Sequence, residues 1–357
     1  MEIVARDRLF NPEMLLLGRD WRRLTQAGLA QRAGVTQALI SQIEHGLTNP
    51  STDVVERISD TLKLPPTFFY QQERLHGLPP YHYFRRKKVP AKTLAAITAH
   101  VNLVSMHIRK LWRSMELNPS KPIPQYDLVE LSIDPVDIAR MLREYWILPR
   151  GPVRDIIGLI EDAGAIIIPC DFGTYGWLDA ISMRLDEIPP LIFIDKHMPS
   201  DRFNFTLAHE LGHLVMHTIP QNDGTMEKQA DEFASNFLMP ADDIRPYLSD
   251  ITLPQLTKVK MYWKVAIAAL IMRAKHLDIA SDYELTALWK QYNSAGYSRS
   301  EPAAFERPEP KALRNLINFH MAKLEYKAAD LAKVFAIGED ELRNLYLGQP
   351  RLRLVSS

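Results

Sequence analysis

The chain has 357 residues, and its 43 Lys and Arg residues balance its 43 Asp and Glu residues, so net charge alone favours neither nucleic acid nor membrane as a partner. A chain of this length predicts two or three domains. The single cysteine, Cys170, excludes an internal disulfide and indicates a reducing compartment. Because no signal peptide and no membrane-length apolar run is evident, we expect a cytoplasmic protein.

The first helical pattern lies near the N-terminus. Residues 26–33 predict a short helix, Gly34 suits a left-handed turn, and Thr36 is a good N-cap for a second helix over 37–44. Another helix is predicted after Asn49-Pro50-Ser51. This is a helix-turn-helix layout, although any small helical bundle could share its periodicity. The apolar residues that would pack these helices are Leu29, Ala33, Val35, Ile40, Ile43, Val54, Val55, Ile58 and Leu62.

Several of these positions follow a narrower pattern than a generic bundle requires. The residues concerned are Thr25-Gln26, Gly34-Val35-Thr36-Gln37, Ser41 and Glu44-His45-Gly46. Their spacing resembles that of the XRE (phage-repressor-like) DNA-binding domains across about residues 11–70. The resemblance implies an all-α DNA-binding domain over residues 1–70, with a double-stranded DNA operator as its partner.

Candidate DNA contacts follow from the chemistry of these side chains. Gln37, Ser41 and Gln42 would lie on the exposed face of the second helix, where Gln can pair with an adenine edge and Ser can read several bases. Thr36 directly precedes them. Gln26 opens the preceding helix, where it could bind phosphate together with backbone N–H groups. The alternative is that these residues are merely solvated polar positions.

Residues 71–125 predict a basic linker followed by a helix. They contain ten Lys and Arg residues against two acids, Glu73 and Glu116. A basic strip directly after a DNA-reading domain predicts phosphate contacts. The alternative is a linker that charge keeps soluble. The densest part of the strip is Arg85, Arg86, Lys87 and Lys88.

The helix in this region carries a regular apolar seam. Its residues recur at spacings of three and four, which is an a/d heptad pattern. Such a seam favours pairing with a second copy of the chain, and repressor-like domains often act as dimers because operators have two half-sites. We therefore expect a homodimer, although the seam could equally pack on the domain that follows it in the same chain. The seam residues are Leu94, Ile97, Val101, Val104, Ile108, Leu111 and Met115.

The middle of the chain predicts a mixed scaffold of helices and strands. Asp134-Pro135 is typical of a helix start, with a capping side chain and a first-turn proline, and a second helix is predicted to end at Gly164. β-Branched runs at 165–168 and 191–194 predict strands. Residues 177–182 alternate like an exposed strand between them. An exposed edge strand could bind an extended peptide by adding it to the sheet.

The sequence His209-Glu210-Leu211-Gly212-His213 lies inside an apolar run from Phe203 to Met216. On a helix its two histidines share one face, so both imidazoles can bind a single zinc ion. Glu210 could then act as the general base toward a water on that ion. The alternative is a buried helix with two satisfied histidines.

A zinc ion that keeps an open position needs a third protein ligand. Ile219 stands ten residues after the first histidine, which excludes a metzincin-type third histidine. Glu227 and Asp231 lie four residues apart in a second helical pattern, and a Glu ligand followed by an acid that holds the N–H of a ligand histidine is a known design. The alternative is two solvated acids. His217 could line the cleft or cap the C-terminus of its helix.

These motifs resemble those of the ImmA/IrrE metallopeptidases over about residues 126–260. The resemblance implies a zincin-like domain with a small sheet, zinc or manganese on His209, His213 and Glu227, and Glu210 as base. It also implies cleavage of a repressor in a phage or stress response. Asp231 stands where many relatives carry Asn, and either residue can hydrogen-bond a histidine. The matching segments are 206–217, Glu227-x-x-Ala230-Asp231-x-Phe233-Ala234, Leu238-Met239-Pro240, Phe193-Ile194-Asp195 and Arg202-Phe203.

The chain as a whole predicts an α+β, predominantly helical fold, with residues 261–357 as a further helical region that serves packing or binds a partner. Two functions remain open. One is a DNA-binding regulator whose zinc peptidase cleaves a repressor-type protein or itself. The other is a DNA-binding repressor or antitoxin whose peptidase-like domain binds a partner, such as a toxin, or senses a signal. The intact motif favours retained chemistry, because a pure binding module has no need of Glu210.

Overall fold

The described part of the chain is predominantly helical, as the sequence predicts. The computed structural model contains a small three-stranded sheet among its helices. No helix within the described residues is long and apolar enough to cross a membrane. The basic cluster at residues 85–88 lies outside this part of the chain, so its phosphate contacts stay a prediction. The structure describes residues 9–79, 90–115, 119–172, 178–217 and 224–348.

Four short helices open the chain, and capping side chains define where they begin. Their bounds are α1 (Pro12–Trp21), α2 (Gln26–Ala33), α3 (Gln37–Glu44) and α4 (Thr52–Leu62), followed by a 3-10 helix at Pro66–Tyr70. The side chains of Asn11, Thr25, Thr36 and Ser51 each accept a backbone N–H two or three residues further on. Gly34 follows α2 with a φ of 64°, the left-handed turn that the sequence predicts. The predicted helix-turn-helix layout is confirmed.

A long helix, α5 (Ala91–Trp112), comes next, and three shorter helices lead to the sheet: α6 (Leu128–Leu131), α7 (Pro135–Tyr145) and α8 (Ile156–Asp162). The predicted start of α7 is confirmed, because the Asp134 side chain accepts the N–H of Asp137 and Pro135 occupies the first turn. The strands are β1 (Ile166–Cys170), β2 (Ala180–Met183) and β3 (Leu191–Asp195).

The sheet has the order β1-β3-β2, so β3 is central. β3 pairs in parallel with β1, with Ile166 opposite Leu191, and antiparallel with β2, with Ala180 opposite Ile194. The parallel pairing requires a crossover between β1 and β3, and β2 lies within that connection. The two apolar runs that predicted strands therefore form neighbouring strands of one sheet.

The second half of the described chain consists of helices. Their bounds are α9 (Ser200–Met216), α10 (Thr225–Leu238), α11 (Ala241–Ile244), a 3-10 turn (Arg245–Tyr247), α12 (Leu253–Trp263), α13 (Ile267–His276), α14 (Asp282–Ser294), α15 (Ala312–Lys323), α16 (Ala328–Phe335), α17 (Glu339–Leu342) and a π-helical turn (Arg343–Leu347).

One prediction about the sheet is wrong. The sequence predicts an exposed strand over residues 177–182, of which residue 177 lies outside the described residues, but all four residues of β2 are buried. The reason is that α9 packs against β2, so the side chains that alternate in the sequence are covered by protein. β2 is nevertheless an edge strand, because in the described sheet it pairs with β3 alone.

The described residues divide into two compact units. The first unit comprises residues 9–78, 90–115 and 314–348, and the second comprises 119–172, 178–217 and 224–313. The first unit thus joins the helix-turn-helix, α5 and the C-terminal helices. Within it, Arg22 after α1 pairs with Glu341 of α17 at 2.8 Å. The second unit contains the sheet together with α9 and α10.

Of the seven predicted seam residues, five are buried inside the first unit, whereas Leu94 and Met115 are half-buried. α5 packs against α1 and α16, so protein of the same chain covers its apolar face. The seam therefore no longer supports a homodimer, and the dimer stays a prediction. The seam residues that are at most 2% exposed are Ile97, Val101, Val104, Ile108 and Leu111.

Candidate metal centre and helix-turn-helix face

Two packed helices of the second unit bring the predicted metal ligands together. His209 and His213 lie one turn apart on α9, and Glu227 lies in the first turn of α10. Gly212 makes this close packing feasible, because a Cβ there would lie 2.9 Å from the Phe233 ring. The sequence motif places the two histidines, and the helix packing adds the carboxylate.

The three side chains converge on one point. His209 Nε2 lies 3.0 Å from His213 Nε2, and the Glu227 carboxylate oxygens lie 3.6 Å from His209 Nε2 and 3.1 Å from His213 Nε2. Ligand atoms around a tetrahedral zinc ion at the usual bond lengths are about 3.3 Å apart. Two imidazole nitrogens and a carboxylate oxygen at these separations therefore fit a zinc ion.

The ring of His209 is fixed by the carboxylate behind it. His209 Nδ1 lies 2.8 Å from Asp231 Oδ1, and an ionised carboxylate can only accept a hydrogen bond. Nδ1 therefore donates, which leaves the lone pair of Nε2 directed toward the other two ligands. This contact is the one that the sequence predicts for Asp231.

His213 is held differently, by a second imidazole. Its Nδ1 lies 2.8 Å from His217 Nδ1, and His217 Nε2 lies 3.0 Å from the amide oxygen Oε1 of Gln229. The sequence left the role of His217 open between lining the cleft and capping the helix, and the structure places it against His213. Gln229 was not singled out from the sequence, because only the packing of α10 on α9 brings it to His217.

The ionisation of the site favours a cation. Burial acts to raise the pKa of Glu227, but the His209 and His213 rings beside it outweigh burial and hold that pKa well below its usual range. Glu227 is therefore a carboxylate at neutral pH. Burial lowers the pKa of His217 to about 4, so the His217 ring is neutral at neutral pH.

Glu210 lies on α9 directly after His209 and is 3% exposed. The structure thus groups His209, His213, Glu227 and Asp231, and the buried Glu210 follows His209 on the same helix. Their roles in metal binding and catalysis remain predictions.

A cavity of about 660 Å³ lies within the second unit, and none of His209, Glu210, His213 and Glu227 lines it. Its wall includes Asp231, and apolar side chains such as Phe205 and Met272 line it. A volume of this size holds a small molecule or several side chains.

A buried ion-pair cluster also lines the cavity. Lys260 donates to Asp201 and, at 2.9 Å, to Glu301, whose carboxylate also accepts the backbone N–H groups of Ile267 and Ala268. Sequence patterns do not predict this cluster, because its charged residues come from distant segments.

The predicted DNA-reading residues lie on α2 and α3 of the first unit. Gln37 donates to Gln26 Oε1 at 3.0 Å, and Gln26 in turn donates to Glu44 Oε2 at 2.8 Å. Glu44 also pairs with Arg19 of α1, with a shortest N···O distance of 2.5 Å. These contacts tie Gln37 at the start of α3 to α2, and Glu44 at the end of α3 to α1 and α2, so the orientation of Gln37 is constrained before any DNA binds.

The remaining candidates on this face differ in exposure. Gln37 and Gln42 are exposed and Ser41 is half-buried. The Thr36 hydroxyl accepts the Leu39 N–H, so its demonstrated contact is helix capping. The exposed amides of Gln37 and Gln42 are available to base edges.

Comparison with protein families agrees with both halves of this description. A family model described as an IrrE N-terminal-like domain matches residues 161–275, and a helix-turn-helix model matches residues 17–69. No curated protein matches the chain. The fold and the matches define a helix-turn-helix DNA-binding protein with a metallopeptidase-like domain. More specifically, the chain fuses an XRE-type helix-turn-helix to an ImmA/IrrE-type domain.

Proposed function

We propose that the chain is a DNA-binding transcriptional regulator whose second unit is a zinc-dependent endopeptidase that cleaves a repressor-type protein or itself. The observation that carries this proposal is the convergence of His209 Nε2, His213 Nε2 and the Glu227 carboxylate at 3.0–3.6 Å. Glu210 is buried on the same helix. A partner-binding module would have no use for a general base at this position.

The three converging side chains would hold zinc and leave its fourth tetrahedral position for water or substrate. A bound zinc ion would lower the pKa of a water molecule and polarise the scissile carbonyl. Asp231 would keep His209 in the tautomer that offers Nε2 to the ion, because the carboxylate accepts from Nδ1 at 2.8 Å.

Glu210 would carry the proton during hydrolysis. Its carboxylate would accept a proton from the attacking water and then deliver it to the nitrogen of the leaving amine. Burial favours this transfer, because a carboxylate that is 3% exposed is shielded from bulk water.

The substrate would be an extended polypeptide. β2 is an edge strand, but all four of its residues are buried, so the proposal does not place the peptide on that edge. The cavity of about 660 Å³ next to Asp231 would accommodate substrate side chains. The helix-turn-helix would hold the protein at an operator, through base contacts from Gln37 and Gln42.

The proposal is tested by comparing the wild type with Glu210→Gln, because this residue is not a metal ligand. The variant should keep about one zinc per chain by elemental analysis. Its cleavage of the natural substrate should fall on the order of a hundred- to ten-thousand-fold, the usual effect of removing a positioned base. Terminal-peptide profiling of cells before and after stress measures the cleaved proteins.

Glu232→Gln is the matched control, because Glu232 is an exposed acid on α10. It should behave like the wild type in both measurements. Identical profiles for wild type and Glu210→Gln in every condition would overturn the peptidase proposal. The repressor or antitoxin function would then be the better explanation, with a toxin or a signalling ligand as the partner.

A further inference from the structure

We infer that His217 and Gln229 form a hydrogen-bond relay that selects the metal-binding tautomer of His213. The inference rests on the proposed function, because it takes His213 Nε2 as a metal ligand. His217 and Gln229 are positioning residues in this arrangement, since they act through His213.

The direction of the relay follows from its outer end. The amide oxygen of Gln229 can only accept, so His217 Nε2, 3.0 Å away, must donate. A neutral imidazole carries one N–H, so His217 Nδ1 keeps a lone pair. That nitrogen lies 2.8 Å from His213 Nδ1, which must therefore donate to it. The consequence is that His213 Nε2 also keeps a lone pair.

The lone pair on His213 Nε2 matters because this atom faces the other two predicted metal ligands. His213 Nε2 lies 3.1 Å from the Glu227 carboxylate and 3.0 Å from His209 Nε2, at the point where the ligands converge. The opposite tautomer would place a proton there and oppose a cation. The relay therefore determines whether His213 Nε2 has a lone pair available for a metal ion.

Both ligand histidines thus keep a lone pair on Nε2, but different partners hold them in that tautomer. Asp231 accepts a hydrogen bond from His209 Nδ1. The direction of this bond is fixed, because an ionised carboxylate can only accept. His213 faces another imidazole, which can donate or accept, so a second contact must fix the direction. Gln229 supplies that contact from α10. His213 is 1% exposed, whereas His217 and Gln229 are half-buried, so only the inner end of the relay is shielded from bulk water.

The relay is tested with two pairs of variants and a control. His217→Phe removes the acceptor and keeps a ring, whereas His217→Asn keeps an acceptor near the Nδ1 position. Gln229→Leu removes the outer acceptor, whereas Gln229→Glu keeps it. Lys228→Leu is the control, because Lys228 is exposed on the same helix. All five are made in the full chain and checked for an unchanged thermal unfolding midpoint.

Two measurements are made on each protein. Histidine-ring ¹⁵N NMR of the metal-free protein reports which nitrogen of His213 carries the proton, and competition with a chromophoric chelator gives the affinity for zinc alone. We expect His213 to be protonated on Nδ1 in the wild type, His217→Asn and Gln229→Glu. Zinc affinity should fall about 10- to 100-fold in His217→Phe and in Gln229→Leu, as for other lost partners of metal-bound histidines. It should stay within about threefold of wild type in the three other variants.

The outcomes separate this inference from the proposed function. If the wild type binds zinc tightly and His217→Phe and Gln229→Leu bind it equally well, the relay is wrong while the metal centre stands. If the wild type binds no zinc, the proposed function fails, and the NMR measurement alone decides the relay. A wild-type His213 protonated on Nε2 would overturn the relay in either case.

Discussion

The two units of this protein each assemble a polar network across neighbouring helices, but they present it in opposite ways. In the first unit, Gln37 is exposed and its partner Gln26 links it to the buried Arg19–Glu44 pair. In the second, His209 and His213 are each 1% exposed and face inward. A DNA-reading face must leave donors and acceptors open to bases, whereas a metal centre must exclude water and fix its lone pairs.

This difference predicts a separation of effects. Changes in the buried centre should abolish a chemical property, because each ligand is needed and nothing replaces it. Changes on the exposed face should each remove one contact among several and weaken binding by a moderate amount.

The substitution His209→Ala should abolish stoichiometric zinc binding, because two ligands cannot hold the ion tightly. DNA affinity should stay unchanged, since no predicted DNA contact is a ligand. Elemental analysis and a DNA-binding titration measure the two properties on the same preparation. His197→Ala is the control, because His197 is an exposed histidine of the second unit. Full metal content in His209→Ala would show that the ligand assignment is wrong.

The substitution Lys260→Met should destabilise the second unit by about 3–5 kcal/mol, the usual effect of removing one partner from a buried charge cluster. Lys260 is 1% exposed, and its loss would leave the Asp201 and Glu301 carboxylates together without a cation between them. Urea unfolding measures the change.

The control for this experiment is Lys258→Met, because Lys258 is exposed on the same helix. It should change the free energy of unfolding by less than about 0.5 kcal/mol. If Lys260→Met lowers the free energy of unfolding by less than about 1 kcal/mol, the cluster rearranges or takes up water. The stability of the second unit would then not depend on this buried ion pair.

Local signals made much of the first unit predictable. The bounds of α2 and α3 follow from Thr36, Gly34 and the apolar spacing, because a cap and a left-handed turn act within a few residues. The pair His209 and His213 is equally local, since residues four apart share a helix face.

Features that depend on tertiary packing could not be predicted from the sequence patterns. Gln229 reaches His217 only because α10 packs on α9, and Lys260 meets Glu301 across 41 residues. The seam of α5 was ambiguous for the same reason, because its periodicity does not say which surface covers it. β2 was predicted to be exposed because alternation does not reveal that α9 covers it.

On the exposed face, Gln42→Ala should weaken binding to the specific operator by about 1–3 kcal/mol and leave non-specific binding nearly unchanged. Gln37→Ala should have a similar effect, because Gln26 orients that side chain. Footprinting on the protein's own promoter at fixed salt measures both. Gln31→Ala is the control, since Gln31 is exposed on α2 outside the predicted contacts. Equal losses on operator and random DNA would show that these residues contact phosphate instead of bases.

The smallest effect concerns pH and the buried histidine of the first unit. His107 of α5 stacks on Phe335 and bonds the Tyr346 hydroxyl at 2.6 Å through Nδ1. Burial, with the nearby Lys110 ammonium, lowers the pKa of His107 well below its ordinary value. Below pH 6.5 the unfolded chain therefore binds a proton that the folded unit does not, so stability falls as the pH drops. His107 alone should contribute a loss approaching about 1.4 kcal/mol per pH unit.

The variant His107→Gln cannot titrate, so the stability of its first unit should depend less on pH between 7 and 5 than that of the wild type. Urea unfolding at each pH, followed by hydrogen exchange in peptides from α5, measures this unit separately. His100 must be considered with it, because burial lowers its pKa as well and it will leave some slope in the variant. Equal slopes for the wild type and His107→Gln would mean that His107 can be protonated without unfolding the first unit.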